Sequence, residues 1–188
     1  AGEQVLEARE LLAPTGSTGQ ARLILELGDQ IVHLGDISIE AQDYSFSRPQ
    51  MDHDLNVSFG DIARLVGFDL ADRVYSTAEP VPLTLLWESL SEGEAGDTIV
   101  FAHLLAADGR LIGQHDGVPG QGERPLSGWV PGEYIIDHHE MAFRDLAYDG
   151  KAIVEVGLYD PLSGERVKLE DGSDSFLLPV ELELAAGE

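Results

Sequence analysis

The sequence predicts an all-β fold, an immunoglobulin-like antiparallel β-sandwich with a short N-terminal helix, and three observations carry that prediction. Residues 98–117 form two β-type runs about a turn. Thr98, Ile99, Val100 and Phe101 suit a pleated, half-buried surface, and Asp108-Gly109 supplies the positive φ angles of a tight hairpin. A second turn lies at 159–164, where Pro161 pre-sets φ and Gly164 takes a left-handed position between Val154–Tyr159 and Arg166–Leu169. Finally, roughly ten short β-type segments recur at the spacing of a sandwich or barrel.

Taken in order, residues 3–12 place Val5, Leu6, Ala8, Leu11 and Leu12 near one side of a helix that Pro14 closes. A loop-forming stretch, 14–19, leads to a strand at 21–27, then to β-type runs at 30–34 and 37–39. The polar segment 40–54 contains Pro49 and reads as a connection, because proline cannot donate to a central ladder. Strands follow at 55–59 and 62–68. In 83–87, alternation sets Leu83, Leu85 and Trp87 on one face, which makes Trp87 a core residue. A Gly/Pro-rich loop spans 117–132, strand 134–141 comes next, and the chain ends with β-type runs at 152–159, 166–169 and 176–184. This reading divides the chain into residues 1–54, comprising helix, added strands and connection, and a β-sandwich domain over 55–188. Gly28-Asp29 with Gly35 and Gly60-Asp61 with Gly67 repeat one spacing, too short a pattern to establish a duplication.

Charge narrows the partners. With 35 Asp and Glu against 11 Lys and Arg, a net charge of −24, the chain lacks the cationic surface that phosphate backbones and anionic membranes require. The same acidity suits a solvated surface, a divalent cation or a cationic partner. There is no cysteine, which excludes disulfides, thiolate nucleophiles and Cys-zinc sites. No run approaches the ~20 apolar residues of a membrane helix, and the first residues lack the basic-then-apolar order of a signal peptide.

Four constellations bear on chemistry. His103 and His115 lie on the two arms of the central hairpin, and the register decides whether they share a face. A two-residue loop pairs His103 with Gln114 and sends His115 to the opposite side; one more residue brings the two together. In 137–140, Asp-His-His-Glu, strand alternation turns His138 and Glu140 one way and Asp137 and His139 the other, so each face offers two ligands where zinc needs three or four. Glu170, Asp171 and Asp174, and separately Asp52-His53-Asp54, form acidic loops able to offer oxygen ligands to Ca²⁺, though neither matches the spaced calcium loop. Trp129, in the Gly/Pro loop, and Tyr134 beside it are the aromatic rings placed to stack on a pyranose if exposed, or to close the core if folded back. The sequence contains no Gly-x-Ser-x-Gly elbow and no phosphate-cradling glycine loop, and its many carboxylates do not single out a hydrolytic pair.

From about Gly60 onward the chain resembles the C-terminal extracytoplasmic β-sandwich domain of bacterial, Chloroflexi-type membrane glycosyltransferases related to dolichyl-phosphate-mannose-protein mannosyltransferases. The stretches that carry the resemblance are 59–61 with 65–69, 83–87, 100–105 with 108–110, 114–117, 129–133, and 156–161 with 163–166; residues 144–150 depart from it. The resemblance implies a longer protein whose membrane part transfers sugar from a polyprenyl-phosphate donor, with this chain as an accessory domain on the extracytoplasmic face of the cytoplasmic membrane. It carries no catalytic residue onto this chain. The expected partners are the transferase domain in cis and a glycan, with no nucleic acid and no direct membrane insertion of this chain. No cofactor is expected beyond a possible Ca²⁺. The competing readings are a free-standing carbohydrate-binding or calcium-dependent adhesion module and a carboxylate hydrolase.

Overall fold

A computed structural model describes residues 18–28, 30–39, 43–91, 96 and 98–187. The helix expected over 3–12 lies outside the described residues. The chain divides into two compact units, residues 1–43 and 44–188, so residues 44–54 belong with the sandwich. In the first unit, β1 (Gly19–Leu27) and β2 (Gln30–Ile39) pair as an antiparallel hairpin with an irregularity at Leu23/Ile24. The two runs expected at 30–34 and 37–39 are one strand that passes through Gly35.

The second unit is an antiparallel β-sandwich. Its strands are β3 (His53–Phe59), β4 (Ala63–Asp69), β5 (Val74–Ser76), β6 (Val81–Ser89), β7 (Ile99–Ala106), β8 (Leu111–Gly117), β9 (Tyr134–Phe143), β10 (Gly150–Tyr159) and β11 (Phe176–Ala185). They follow one another as β3-β4-β6-β9-β8-β7-β10-β11-β5. Short β5, unexpected from the sequence, joins β11 in parallel. The expected strand at 166–169 is corrected: it makes only single bridges, Tyr159 to Arg166 and Phe59 to Leu169, and β10 takes β11 as its ladder partner.

The order is continuous, yet the sheet folds into two layers because β8 and β9 share only Gly113 with Phe143 and Gln114 with Ala142. Beyond that seam β9 pairs with β6 and β8 with β7. The seam leaves little room beside Gly113. A Cβ on Gly113 would stand 3.0 Å from both the Ala142 carbonyl oxygen and Leu104 Cδ1. The inward faces follow the alternation of the sequence: Leu83, Leu85 and Trp87 from β6, Val100, Ala102 and Leu104 from β7, and Ala152, Val154, Val156 and Leu158 from β10 form the core. Among the described residues no helix is long and apolar enough to cross a membrane.

One irregularity positions the functional side chains. Next to the turn, Ala106 N–H donates to the Arg110 carbonyl at 2.9 Å, which leaves a three-residue loop over 107–109. Continued without a break, that register would place His103 and His115 on the same face. Instead Leu104 pairs with Gly113 and Leu105 with Leu111, so Ile112 is an extra residue that bulges out of the ladder. The bulge shifts the register by one, pairs His103 with Gln114 and turns His115 onto the inner face opposite Ala102.

Candidate functional site

β9 alternates as its sequence predicts: Ile135, Asp137, His139 and Met141 point inward and Ile136, His138 and Glu140 point outward. Asp137 and His139 are each only 2% exposed, so a carboxylate and an imidazole occupy positions that the pattern reserves for core. Buried polar groups need partners, and these two have them. His139 Nε2 lies 2.8 Å from Asp137 Oδ2, and the second carboxylate oxygen accepts the Gly120 N–H at 3.0 Å. On the other edge of its ring, His139 Nδ1 meets His115 Nδ1 at 2.9 Å, the two rings set edge to face at 80°. The seam between β8 and β9 therefore holds a linear relay, Asp137–His139–His115.

Its outer end opens on a cleft of about 400 Å³ lined by His115, Gly117, Val118, Gln121, Gly122, His138 and Glu140. Among the described residues no group hydrogen-bonds to His115 Nε2. One wall of the cleft, at Gln121 and Gly122, belongs to a turn in left-handed backbone. Gly120, Gln121 and Gly122 have φ of 63°, 61° and 92°, and Gln121 is the one described non-glycine residue with a positive φ. Left-handed backbone at a residue with a Cβ costs of order 1–3 kcal/mol and persists where surroundings over-determine it. Here they do: Gly122 N–H donates to the Val118 carbonyl at 3.0 Å, and Gly120 N–H is held by Asp137.

The rest of the loop is anchored by Trp129. Its ring is 2% exposed and its Nε1–H donates to the Arg124 carbonyl at 2.9 Å. The alternative of a sugar-stacking platform is thereby corrected: Trp129 folds back and closes the core. Arg124 pairs with Glu133, whose side chain is completely buried. Tyr134 is half-buried, and its N–H donates to the Ser45 carbonyl at 2.7 Å.

Burial works against a charge on His115 and lowers its pKa, and the neighbouring His139 adds to this; Asp137, Asp116 and Glu140 pull the other way without prevailing. The ring is thus biased toward its neutral form.

A separate network covers the outer face of β7, β8 and β10. His103 Nε2 is 3.1 Å from Asp116 Oδ1 and its Nδ1 is 3.4 Å from Glu155 Oε2. The Tyr159 hydroxyl donates to Asp116 at 3.3 Å and the Ser175 hydroxyl to Glu155 at 2.7 Å. Burial raises the Asp116 pKa, but the hydrogen bond and charge of His103, with Tyr159 and His115, outweigh it, and the net shift is downward. His103 and His115 therefore serve different faces, and the shared site that one possible register allowed does not form.

Two of the acidic residues expected to take Ca²⁺, Asp171 and Asp174, are already engaged. Asp171 accepts from the Ser173 N–H and hydroxyl at 2.9 and 2.6 Å, and Asp174 is 3.3 Å from Arg166 and 3.0 Å from Lys168. Glu170 and Asp171 line a hollow of about 410 Å³ with Asn56, Ser58 and Arg64. Among the described residues no three His, Asp or Glu side chains are grouped to hold a metal.

Fold and site together define a β-sandwich module with a cleft at the seam of its two layers, backed by a buried imidazole–carboxylate relay. Comparison with known proteins finds no matching family model, no matching curated protein and no matching solved structure.

Proposed function

We propose that this chain is a non-catalytic accessory domain of a membrane-bound glycosyltransferase, holding an acceptor, glycan or partner domain on the extracytoplasmic side of the membrane. The observation that carries the reading is convergence. The seam cleft gathers His115 and Gly117 from β8, Gln121 and Gly122 from the following loop, and His138 and Glu140 from β9 into one concave, largely apolar surface that carries four polar side chains. Two stretches on which the resemblance rests, 114–117 and 129–133, bracket the loop that forms one of its walls. A ligand entering there meets side chains fixed by the relay and a loop pinned by Trp129 and Asp137, so little ordering entropy is lost on binding.

The test is a titration of the isotopically labelled chain with an oligosaccharide panel, followed by backbone NMR. Saturable shifts at Gly117, Gln121 and Glu140 support the reading, and shifts absent there, or confined to the hollow beside Glu170, overturn it. A calcium-dependent adhesion module, the alternative reading, requires those shifts to vanish on addition of chelator.

A further inference from the structure

The relay carries a consequence that follows from counting protons. Asp137 is flanked by the Gly120 N–H, so its carboxylate is an acceptor on both oxygens, and His139 must present Nε2–H to it. Between His139 Nδ1 and His115 Nδ1, 2.9 Å apart, there is room for one proton, since two bare lone pairs or two N–H groups would repel. With both rings neutral, the two protons are then fixed: one on His139 Nε2, the other on His115 Nδ1. His115 Nε2 is bare and faces the cleft as a hydrogen-bond acceptor. If the pair gains one proton, it resides on His115 Nε2 whichever ring carries the charge, and the acceptor becomes a donor.

The other groups on the cleft define what meets that acceptor. The Glu140 carboxylate is a second acceptor and the Gln121 amide supplies both kinds of group. Anions are repelled by Glu140, by Asp116 and Asp137 close to His115, and by a net charge of −24. An ammonium donates to both acceptors and to the Gln121 amide oxygen but has no lone pair for the amide NH₂. A hydroxyl both donates and accepts, so a ligand with several hydroxyls can meet the two acceptors and both ends of the amide.

We infer that the β8–β9 cleft binds a neutral, polyhydroxylated ligand through a hydroxyl donated to His115 Nε2, and that one proton on the His115–His139 pair switches this contact off. The inference rests on the cleft being the binding site and adds its ligand class and its control. Around the switch stand His139, Asp137, Glu140 and His138 of β9 and Asp116 of β8, with His103 of β7 reaching it through Asp116.

The experiment uses the full chain with labelled histidine at about pH 8 and at the lowest pH at which the chain stays folded, because the depressed His115 pKa moves its titration below the ordinary imidazole value. Methyl glucopyranoside, mannopyranoside and galactopyranoside are titrated at each pH, with glucuronate and glucosamine as anionic and cationic arms. The expected result is a pyridine-type ¹⁵N signal for His115 Nε2 at the higher pH and a pyrrole-type signal at the lower. A neutral pyranoside then binds at the cleft roughly tenfold more weakly in acid, the loss of about one hydrogen bond. His115→Gln removes that pH dependence. A pyrrole-type Nε2 at the higher pH, or equal affinity at both, overturns the switch while the cleft remains a binding site. Preference for glucuronate or glucosamine overturns the ligand class. No cleft shift with any of the five probes overturns the proposal together with the site.

Discussion

Replacing Asp137 by Asn tests the relay at its root, because the two shapes are nearly the same and only the hydrogen-bonding character changes. The amide has one oxygen and one NH₂. The Gly120 N–H is a fixed donor 3.0 Å away and accepts no second donor, so the amide oxygen must face it. The NH₂ then faces His139 Nε2 at the position where the carboxylate oxygen stood 2.8 Å off. An imidazole, unlike a peptide, can exchange its tautomer. His139 therefore gives up the Nε2 proton and carries one on Nδ1, which donates to His115 Nδ1. The His115 proton moves to Nε2, and the cleft presents a donor at neutral pH. Two hydrogen bonds to a charged acceptor become two neutral ones, a loss of about 1 kcal/mol each, partly offset by removal of a buried charge, so the expected destabilisation is about 1–2 kcal/mol. Urea unfolding reads that cost and histidine ¹⁵N NMR reads the tautomers. A His115 Nε2 that stays pyridine-type in Asp137→Asn refutes the wiring. So does a cost as large as that expected of Asp137→Ala, in which two donors lose their acceptor at about 1–3 kcal/mol apiece.

Gly157→Ala drives a Cβ into the Phe101 ring and sets it 3.2 Å from the Asp174 carbonyl oxygen, and overpacking of this kind costs about 1–3 kcal/mol or more, measured by denaturant unfolding. Glu133→Ala leaves Arg124 without its buried partner and is expected to cost about 3–5 kcal/mol, whereas Glu133→Gln, which keeps an acceptor, costs less. Stability against pH separates two groups by sign. The His115 pKa is depressed from its ordinary 6.5, so as pH falls through that value the unfolded chain binds the proton first and the fold weakens until the folded ring also titrates; His115→Gln flattens this step in a melting-temperature profile. Asp116, depressed from 3.8, contributes stability above that value and loses it as pH falls through the folded pKa, so Asp116→Asn lowers stability at neutral pH and removes that acid step. Excess Ca²⁺ is expected to leave the melting temperature unchanged, because Asp171 is tied to Ser173 and Asp174 to Arg166 and Lys168; a rise abolished by Asp174→Ala would show that these pairs yield to the cation.

The parts of this molecule legible in its sequence are those that depend on local periodicity. Alternation alone placed Leu83, Leu85 and Trp87 inward, and it placed Asp137 and His139 on one face of β9 with His138 and Glu140 on the other. It could not say that the Asp137–His139 face is the buried one, because two polar residues on a face ordinarily argue for solvent. Nor could it supply the third member. His115 reaches His139 only because Ile112 is an extra residue in β8, and a bulge leaves no mark in the alternation of so short a strand. The two loop lengths that decide whether His103 and His115 share a face are both incomplete descriptions: the loop has three residues, and the bulge cancels its effect. For Trp129 the sequence favours a ring folded back onto the core over an exposed platform, and the bond from its N–H to the Arg124 carbonyl shows how it is held there. Gln121 carried no signal beyond a polar side chain in a Gly/Pro loop, whereas Glu140 stood out with His138 on one face of the Asp-His-His-Glu run. The strand at 166–169 was expected from turn chemistry that is present at Pro161 and Gly164, yet a turn fixes only the direction of the returning chain. Whether a ladder forms depends on the competitor for the same edge, and β11, ten residues long, takes most of it. Local alternation thus determined which side chains share a face within a strand, while register and the pairing of distant strands determined which face is buried and which side chains meet. The candidate site belongs to the second kind of information: its aspartate and its two histidines are brought together by a seam of two residue pairs and one bulge.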